Sequence, residues 1–235
     1  MLNSFRALMF ALFLALVFRF SVASPYRIPT GSMIPSLKIG DFLFVSKLSY
    51  AVKIPFTNDN LIQLSTPKRG DVIVFPFPDD PKVDYIKRVV GIAGDIIEIN
   101  DKQLYINGQP IPKTEFQSQK YLFDHYFIAD PTDYHLYKED LFGVEHVIME
   151  RSNTQPELNY FGPYKVPNDH VFVIGDNRDN SLDGRYWRNK SIPIKSIRGK
   201  AMFVWLSIDS KNPLFYLGNF AVPSIRSHRF GMTIK

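Results

Sequence analysis

The chain has no cysteine at any of its 235 positions. That excludes disulfides, thiolate catalysis and cysteine-based zinc sites. It also lacks a block of lysine or arginine. The formal charge of +5 is spread along the sequence, so there is no footprint for nucleic acid, and attraction to an anionic lipid surface fits the balance equally well. Helical periodicity is scarce beyond Pro25, and internal repeats and low-complexity segments are missing too. Only one long apolar run occurs, at residues 7–18. Aromatic residues, by contrast, are plentiful: 20 phenylalanines and 12 tyrosines in a chain that is 45% hydrophobic and 22% charged. Such a composition buries a core and favours strands over a helical bundle.

Arg6 and Arg19 bracket the apolar run, and two readings fit it. A basic start, a short apolar stretch and small residues at Ser21 and Ala23 describe a signal peptide cut after Ala23. A retained anchor needs roughly 17–25 residues, which residues 7–23 supply only if Arg19 extends its head to the interface. In either case the amino terminus is expected on the cytoplasmic side and the rest of the chain exported.

Beyond Pro25, short β-rich runs recur: "DFLFVSKL", "GDVIVFPF", "DYIKRVVGI", "DIIEIN", "QLYING", "HVFVIG" and "AMFVWLSI". Turn signals separate them, among them Lys68-Arg69-Gly70-Asp71, Ala93-Gly94-Asp95 and the hairpin dipeptide Asn107-Gly108. The stretch 101–168 is polar and aromatic with weak alternation. The organisation expected is an N-terminal membrane segment over 1–24, a β core over 25–100 and 169–210 interrupted by a β-rich insertion over 101–168, and a turn-rich tail over 211–235. The fold class is therefore mainly β.

Three stretches carry chemistry. In "IPTGSMIP", residues 28–35, Pro29 and Pro35 stiffen the chain and Gly31 permits a close approach. Such a turn can present the Ser32 hydroxyl and N–H together, with Thr30 as a second donor nearby, the parts of an oxyanion hole. A serine nucleophile needs a base. Five histidines are present: His125, His135, His146, His170 and His228. Only His170 adjoins a clear strand, so a Ser–His–Asp arrangement has no particular support. In "VDYIKRVVGIAGD", alternation puts Lys87 on a face with Val83, Tyr85 and Val89, and Arg88 on the other. A lysine desolvated there loses its proton more easily and can serve as base, whereas an arginine stays charged; the alternative is a surface lysine lying over apolar neighbours.

The third stretch, "GDNRDNSLDGR" at 175–185, reads as an irregular loop shaped by internal Asp–Arg pairs. Arg178 stands where a calcium loop needs an oxygen ligand, so no metal is expected. The S-x-x-K match at Ser65-Thr66-Pro67-Lys68 is a chance one, since Pro67 breaks the helical turn that pattern requires.

Taken in order, "IPTGSMIPSLKIGDFLFVSKLSY", "PKRGDVIVFPFPDDPKVDYIKRVVGIAGD" and "GDNRDNSLDGRYW" resemble the successive boxes of bacterial type I signal peptidases. The resemblance implies a complex of antiparallel β-sheets with one N-terminal transmembrane helix, and a serine endopeptidase without cofactor. Its partners would be preproteins and the lipid bilayer, and no nucleic acid. It would place the enzyme in the bacterial inner membrane, single-pass, with the catalytic domain outside. Ser32 matches the nucleophile and Lys87 the general base. Thr30 and the Ser32 N–H match the oxyanion hole, Ser181 the serine that orients the lysine, and Asp183 with Arg185 a supporting pair. Tyr26, Ile28, Met33, Leu37, Tyr85 and Ile86 match the lining of two shallow pockets admitting small side chains at −1 and −3. A single candidate span departs from the two found in many Gram-negative members, while the long insertion is of their type. Rival readings are a self-cleaving repressor, which the apolar N-terminus disfavours, a relative dedicated to one pilus component, and a tethered β domain that binds exported peptides without cutting them.

Overall fold

The computed structural model describes residues 5–10, 23–53, 60–116, 133–154, 156–218 and 220–235. Residues 5–10 are helical. Among the described residues no helix is long and apolar enough to cross a membrane. Most of the N-terminal apolar run, with Arg19 and Ser21, lies outside them, as does His125.

In chain order the strands are β1 (Ala23–Arg27), β2 (Asp41–Ser46), β3 (Ala51–Lys53), β4 (Asn60–Gln63), β5 (Val72–Phe77) and β6 (Asp80–Ile92). There follow β7 (Ile96–Asn100), β8 (Gln103–Ile106), β9 (Gln109–Pro110), β10 (Lys113–Phe116), β11 (Tyr134–Leu141) and β12 (Val144–Arg151). The last are β13 (Phe161–Lys165), β14 (His170–Ile174), β15 (Ile192–Pro193), β16 (Gly199–Leu217) and β17 (Phe220–Ile225). The main sheet runs β1-β2-β16-β5-β6-β14-β15, with β17 attached to β16. Two smaller sheets, β13-β7-β8-β9 and β10-β11-β12, are built from chain between β6 and β14, and β3-β4 form a separate pair. Every strand pair among the described residues is antiparallel.

The turn signals act where expected. Asn107 and Gly108 both take positive φ, 55° and 78°, and join β8 to β9, the backbone a two-residue hairpin needs. In β2 the alternation of DFLFVS becomes alternating burial: Leu43 and Val45 are fully enclosed. They join Ile28, Met33, Leu37, Val72, Val74, Ile86, Ala201 and Val204 in one core cluster.

β6 is the element that builds the site. Its first half is exposed and its second half buried, because β14 pairs only with residues 88–92. Towards residue 83 that edge of β6 has no strand partner among the described residues. The C-terminal residues pack on the same core. Val204 and residues 231–232 exchange backbone hydrogen bonds, and Met232 and Ile234 pack on the cluster around Ile28 and Leu43.

Candidate active site

The Ser32 turn is pinned at both ends. Ile28 N–H donates to the Asp41 carbonyl at 2.8 Å and Gly40 N–H to the Ile28 carbonyl at 3.0 Å. Met33 and Leu37, fully buried, anchor the turn in the core. Ile34 N–H closes it by donating to the Gly31 carbonyl at 3.1 Å.

Lys87 enters from β6. Its ammonium donates to Ser32 Oγ at 2.7 Å and to the Ile86 carbonyl at 3.0 Å, and it lies 5.0 Å from the Tyr85 ring centre. The side chain is almost wholly removed from water, with 3% exposure. Burial pulls its pKa down from 10.5 to about 8, the carboxylates of Asp183 and Asp176 opposing the change and Arg185 assisting it. No carboxylate pairs with the lysine directly among the described residues. That combination lets the amine be neutral near ordinary pH.

The loop that follows β14 forms the third side. Asp183 accepts from Gly175 N–H at 3.0 Å and forms a double hydrogen bond with Arg185, both contacts at 2.8 Å. Burial alone would raise the Asp183 pKa, but Arg185 and these bonds hold it below the usual carboxylate range. Pairing inside the loop is only part of what shapes it. Asp176 pairs instead with Arg88 of β6 at 2.7 and 2.8 Å, and Arg178 with Glu139 of β11 at 2.5 Å. These partners come from distant elements that a local reading of the loop cannot supply.

A cleft of about 490 Å³ opens between these three parts, lined by residues 29–32, 83–87 and 179–182. Thr30, Ser32, Tyr85, Ile86, Lys87 and Ser181 all reach it. Ser181 Oγ is buried and makes no hydrogen bond to Lys87, whose ammonium donates to Ser32 and Ile86, so the structure brings it to Lys87's cleft without joining it to the lysine. Ile28, Met33 and Leu37 are core residues instead of cleft walls, and Tyr26 packs half-buried against that core. Burial and the neighbouring Asp84 push the Tyr26 phenol up to about 12.

The described histidines stand elsewhere: His135 pairs with Glu115, His146 with Glu139, His170 with the Asn168 carbonyl, and His228 lies in the C-terminal turn Ser227–Arg229. Ser65 donates to the Ser49 carbonyl. A larger cleft of about 750 Å³ is walled by prolines such as Pro76, Pro78 and Pro193; its Ser191, Ser196 and His170 are bonded to Tyr164, the Pro193 carbonyl and the Asn168 carbonyl, not to one another. No cluster of acidic and histidine side chains able to hold a metal occurs among the described residues.

Two site residues escaped the sequence reading. Gly175 lies against Ser32 and Ser181: a Cβ there would overlap Ser181 Oγ and come 2.5 Å from the Ser32 carbonyl oxygen. Asn177 donates its side-chain amide to the Gly31 carbonyl at 3.0 Å and its backbone N–H to the Ser32 carbonyl at 3.1 Å. Both sit in a segment already marked by its polarity, but only the juxtaposition of two distant turns reveals what they do.

Over residues 1–206 the chain matches the family described as signal peptidase, peptidase S26. It is similar to a signal peptidase I of Pseudomonas fluorescens, 41% identical over 225 residues, covering 89% of this chain and 74% of the relative. A signal peptidase I of Pseudomonas aeruginosa is 38% identical, with 83% and 69% covered. One from Aquifex aeolicus is 32% identical, with 85% and 82% covered.

Proposed function

The chain belongs to the signal peptidase family, peptidase S26, and from that premise we propose that Ser32 and Lys87 form the catalytic dyad with which it removes signal peptides. The family makes it a serine endopeptidase. The observation that carries the dyad is the 2.7 Å contact between Lys87 Nζ and Ser32 Oγ in a site shielded from water.

With the amine neutral, that contact carries the Ser32 proton to Lys87 as Oγ attacks the scissile carbonyl. The Ser32 N–H and the Thr30 hydroxyl hold the developing oxyanion. Lys87, now an ammonium, protonates the departing amine, and the ester left on Ser32 is hydrolysed by water that Lys87 activates in turn. Ser181, Asp183 and Arg185 maintain the loop against Lys87. The substrate lies extended along the open edge of β6 beside residues 83–87, as an added strand. The side chains at the −1 and −3 positions meet a narrow, already packed surface around Tyr85 and Ile86, with Tyr26, Ile28, Met33 and Leu37 behind it. Only small side chains fit there.

Residues 1–24 act as a membrane anchor and hold the dyad at the outer face of the inner membrane, where the signal peptides of exported preproteins lie. The test compares wild type with Ser32→Ala and Lys87→Ala on one labelled preprotein in detergent. Both variants are expected to lose cleavage; a folded Ser32→Ala that still cuts overturns the assignment. Extraction of the wild type from membranes at high pH checks the anchor: release into the supernatant would refute it.

A further inference from the structure

Asn177 touches both peptide planes that flank Ser32. Its side-chain Nδ2 donates to the carbonyl of the Gly31–Ser32 peptide at 3.0 Å. Its backbone N–H donates to the carbonyl of the next peptide, that of Ser32, at 3.1 Å. The amide cannot be turned round, since Oδ1 would then face the Gly31 carbonyl oxygen, acceptor against acceptor.

A peptide group is planar and trans, so its carbonyl and its N–H point in opposite directions. Whatever holds the Gly31 carbonyl therefore aims the Ser32 N–H. Two donors hold it: Ile34 N–H from within the turn and Asn177 from outside it. Hydrogen bonds to the carbonyl also polarise the peptide and strengthen its N–H as a donor. Asn177 is itself 3% exposed and braced. The Met149 N–H of β12 donates to the Asp176 carbonyl at 2.9 Å, and Met149 bridges Asn177. Ile34, from the Ser32 turn, packs in a small buried cluster with Met149 and Leu136 of the same inserted sheet. The turn and its clamp thus rest on one support.

We infer that Asn177 is a positioning residue, whose side-chain amide orients the Ser32 N–H towards the oxyanion while the inserted sheet β10-β11-β12 backs the clamp. This rests on the reading of the Ser32 N–H as an oxyanion donor. It gives the insertion a share in catalysis although none of its residues lines the cleft.

The full chain in detergent is assayed on a labelled preprotein, with reactive serines counted by endpoint acylation with a serine-directed inhibitor. Asn177→Ala and Asn177→Ser are both measured. Outright loss of one oxyanion donor costs about 10²–10³ in rate; misaiming it should lower kcat per acylatable serine by about 10- to 100-fold. KM and the acid limb of the pH–rate profile should stay in place, because neither the cleft wall nor Lys87 is altered. Asn177→Asp, which sets a carboxylate against the Gly31 carbonyl, should fall at least as far. A wild-type kcat per acylatable serine overturns the inference, as does a loss confined to KM. Failure of both small variants to fold also overturns it and leaves Asn177 a structural residue. Ser32→Ala separates the two levels: if it still cleaves, the underlying reading fails; if it is dead while Asn177→Ala is normal, only this inference fails.

Discussion

Lys87 and Arg88 are neighbours on β6, and their cationic heads end on opposite sides of the strand, one 2.7 Å from Ser32 Oγ and the other 2.7 Å from Asp176. Both side chains are nearly inaccessible to water. An isolated buried charge is costly, and the two residues meet that cost in different ways. Arg88 keeps its charge against a carboxylate that is held below its usual pKa. Lys87 has no such partner and its pKa falls instead. Two adjacent residues of one strand therefore divide into a structural cation and a base.

The pH profile follows from this division. The Lys87 pKa of about 8 means that the neutral amine gains population as pH rises through that value. The rate kcat/KM should climb from pH 6 to 9 along a single acid limb centred near 8. Asp183 stabilises the charged lysine, so Asp183→Asn should move the limb to lower pH, besides lowering the plateau through loss of its bonds to Gly175 and Arg185. A limb displaced to higher pH would contradict the electrostatics described.

Gly175 has no room for a side chain. A methyl group there meets Ser181 Oγ and the Ser32 carbonyl, and the backbone of the Ser32 turn cannot yield without shifting the nucleophile. Gly175→Ala should lose most of its cleavage activity while costing about 1–3 kcal/mol in urea unfolding, the range for an overpacked site. Normal activity in this variant would mean that the turn and the loop part readily.

Much of this site can be read from local sequence. Two prolines around a glycine mark a stiff turn at Ser32, and alternation along β6 separates Lys87 from Arg88. The hairpin at Asn107-Gly108 follows from dipeptide chemistry. The partners of Asp176 and Arg178 do not, because Arg88 and Glu139 reach the loop only after the sheets assemble. The same holds for Asn177, whose amide meets Gly31 across 146 residues of chain. Met33 and Leu37 show the reverse limit: apolar residues beside a nucleophile can line a pocket or anchor a turn, and only packing decides that they sit in the core. The length of β16, which runs on to Leu217, was hidden because Pro213 and the polar residues before it read as a turn.

The buried pair between Glu139 and Arg178 ties the inserted sheet to the catalytic loop, with His146 Nε2 3.2 Å from the same carboxylate oxygen. Burial would raise the Glu139 pKa, but Arg178 and His146 bring it down from 4.5 to about 2. A depressed carboxylate stabilises the fold fully above its unfolded pKa, and that contribution is lost as pH falls through the folded value. Urea midpoints should therefore drop between about pH 4.5 and 2. Glu139→Gln should weaken that dependence and cost roughly 3–5 kcal/mol at neutral pH by leaving Arg178 unpaired. Unchanged midpoints would show that the pair contributes nothing to holding the two parts together.

Thr30 offers the most direct check on the oxyanion site. Thr30 lines the cleft beside Ser32, and Thr30→Val removes its hydroxyl while keeping the side chain's shape. An oxyanion donor acts on the charge that develops in the transition state and little on bound substrate. Thr30→Val should therefore lower kcat by about 10²–10³ with KM nearly constant, and Thr30→Ser should recover most of the rate. A rise in KM at constant kcat would instead make Thr30 part of the substrate-binding wall, and the oxyanion would then depend on the Ser32 N–H alone.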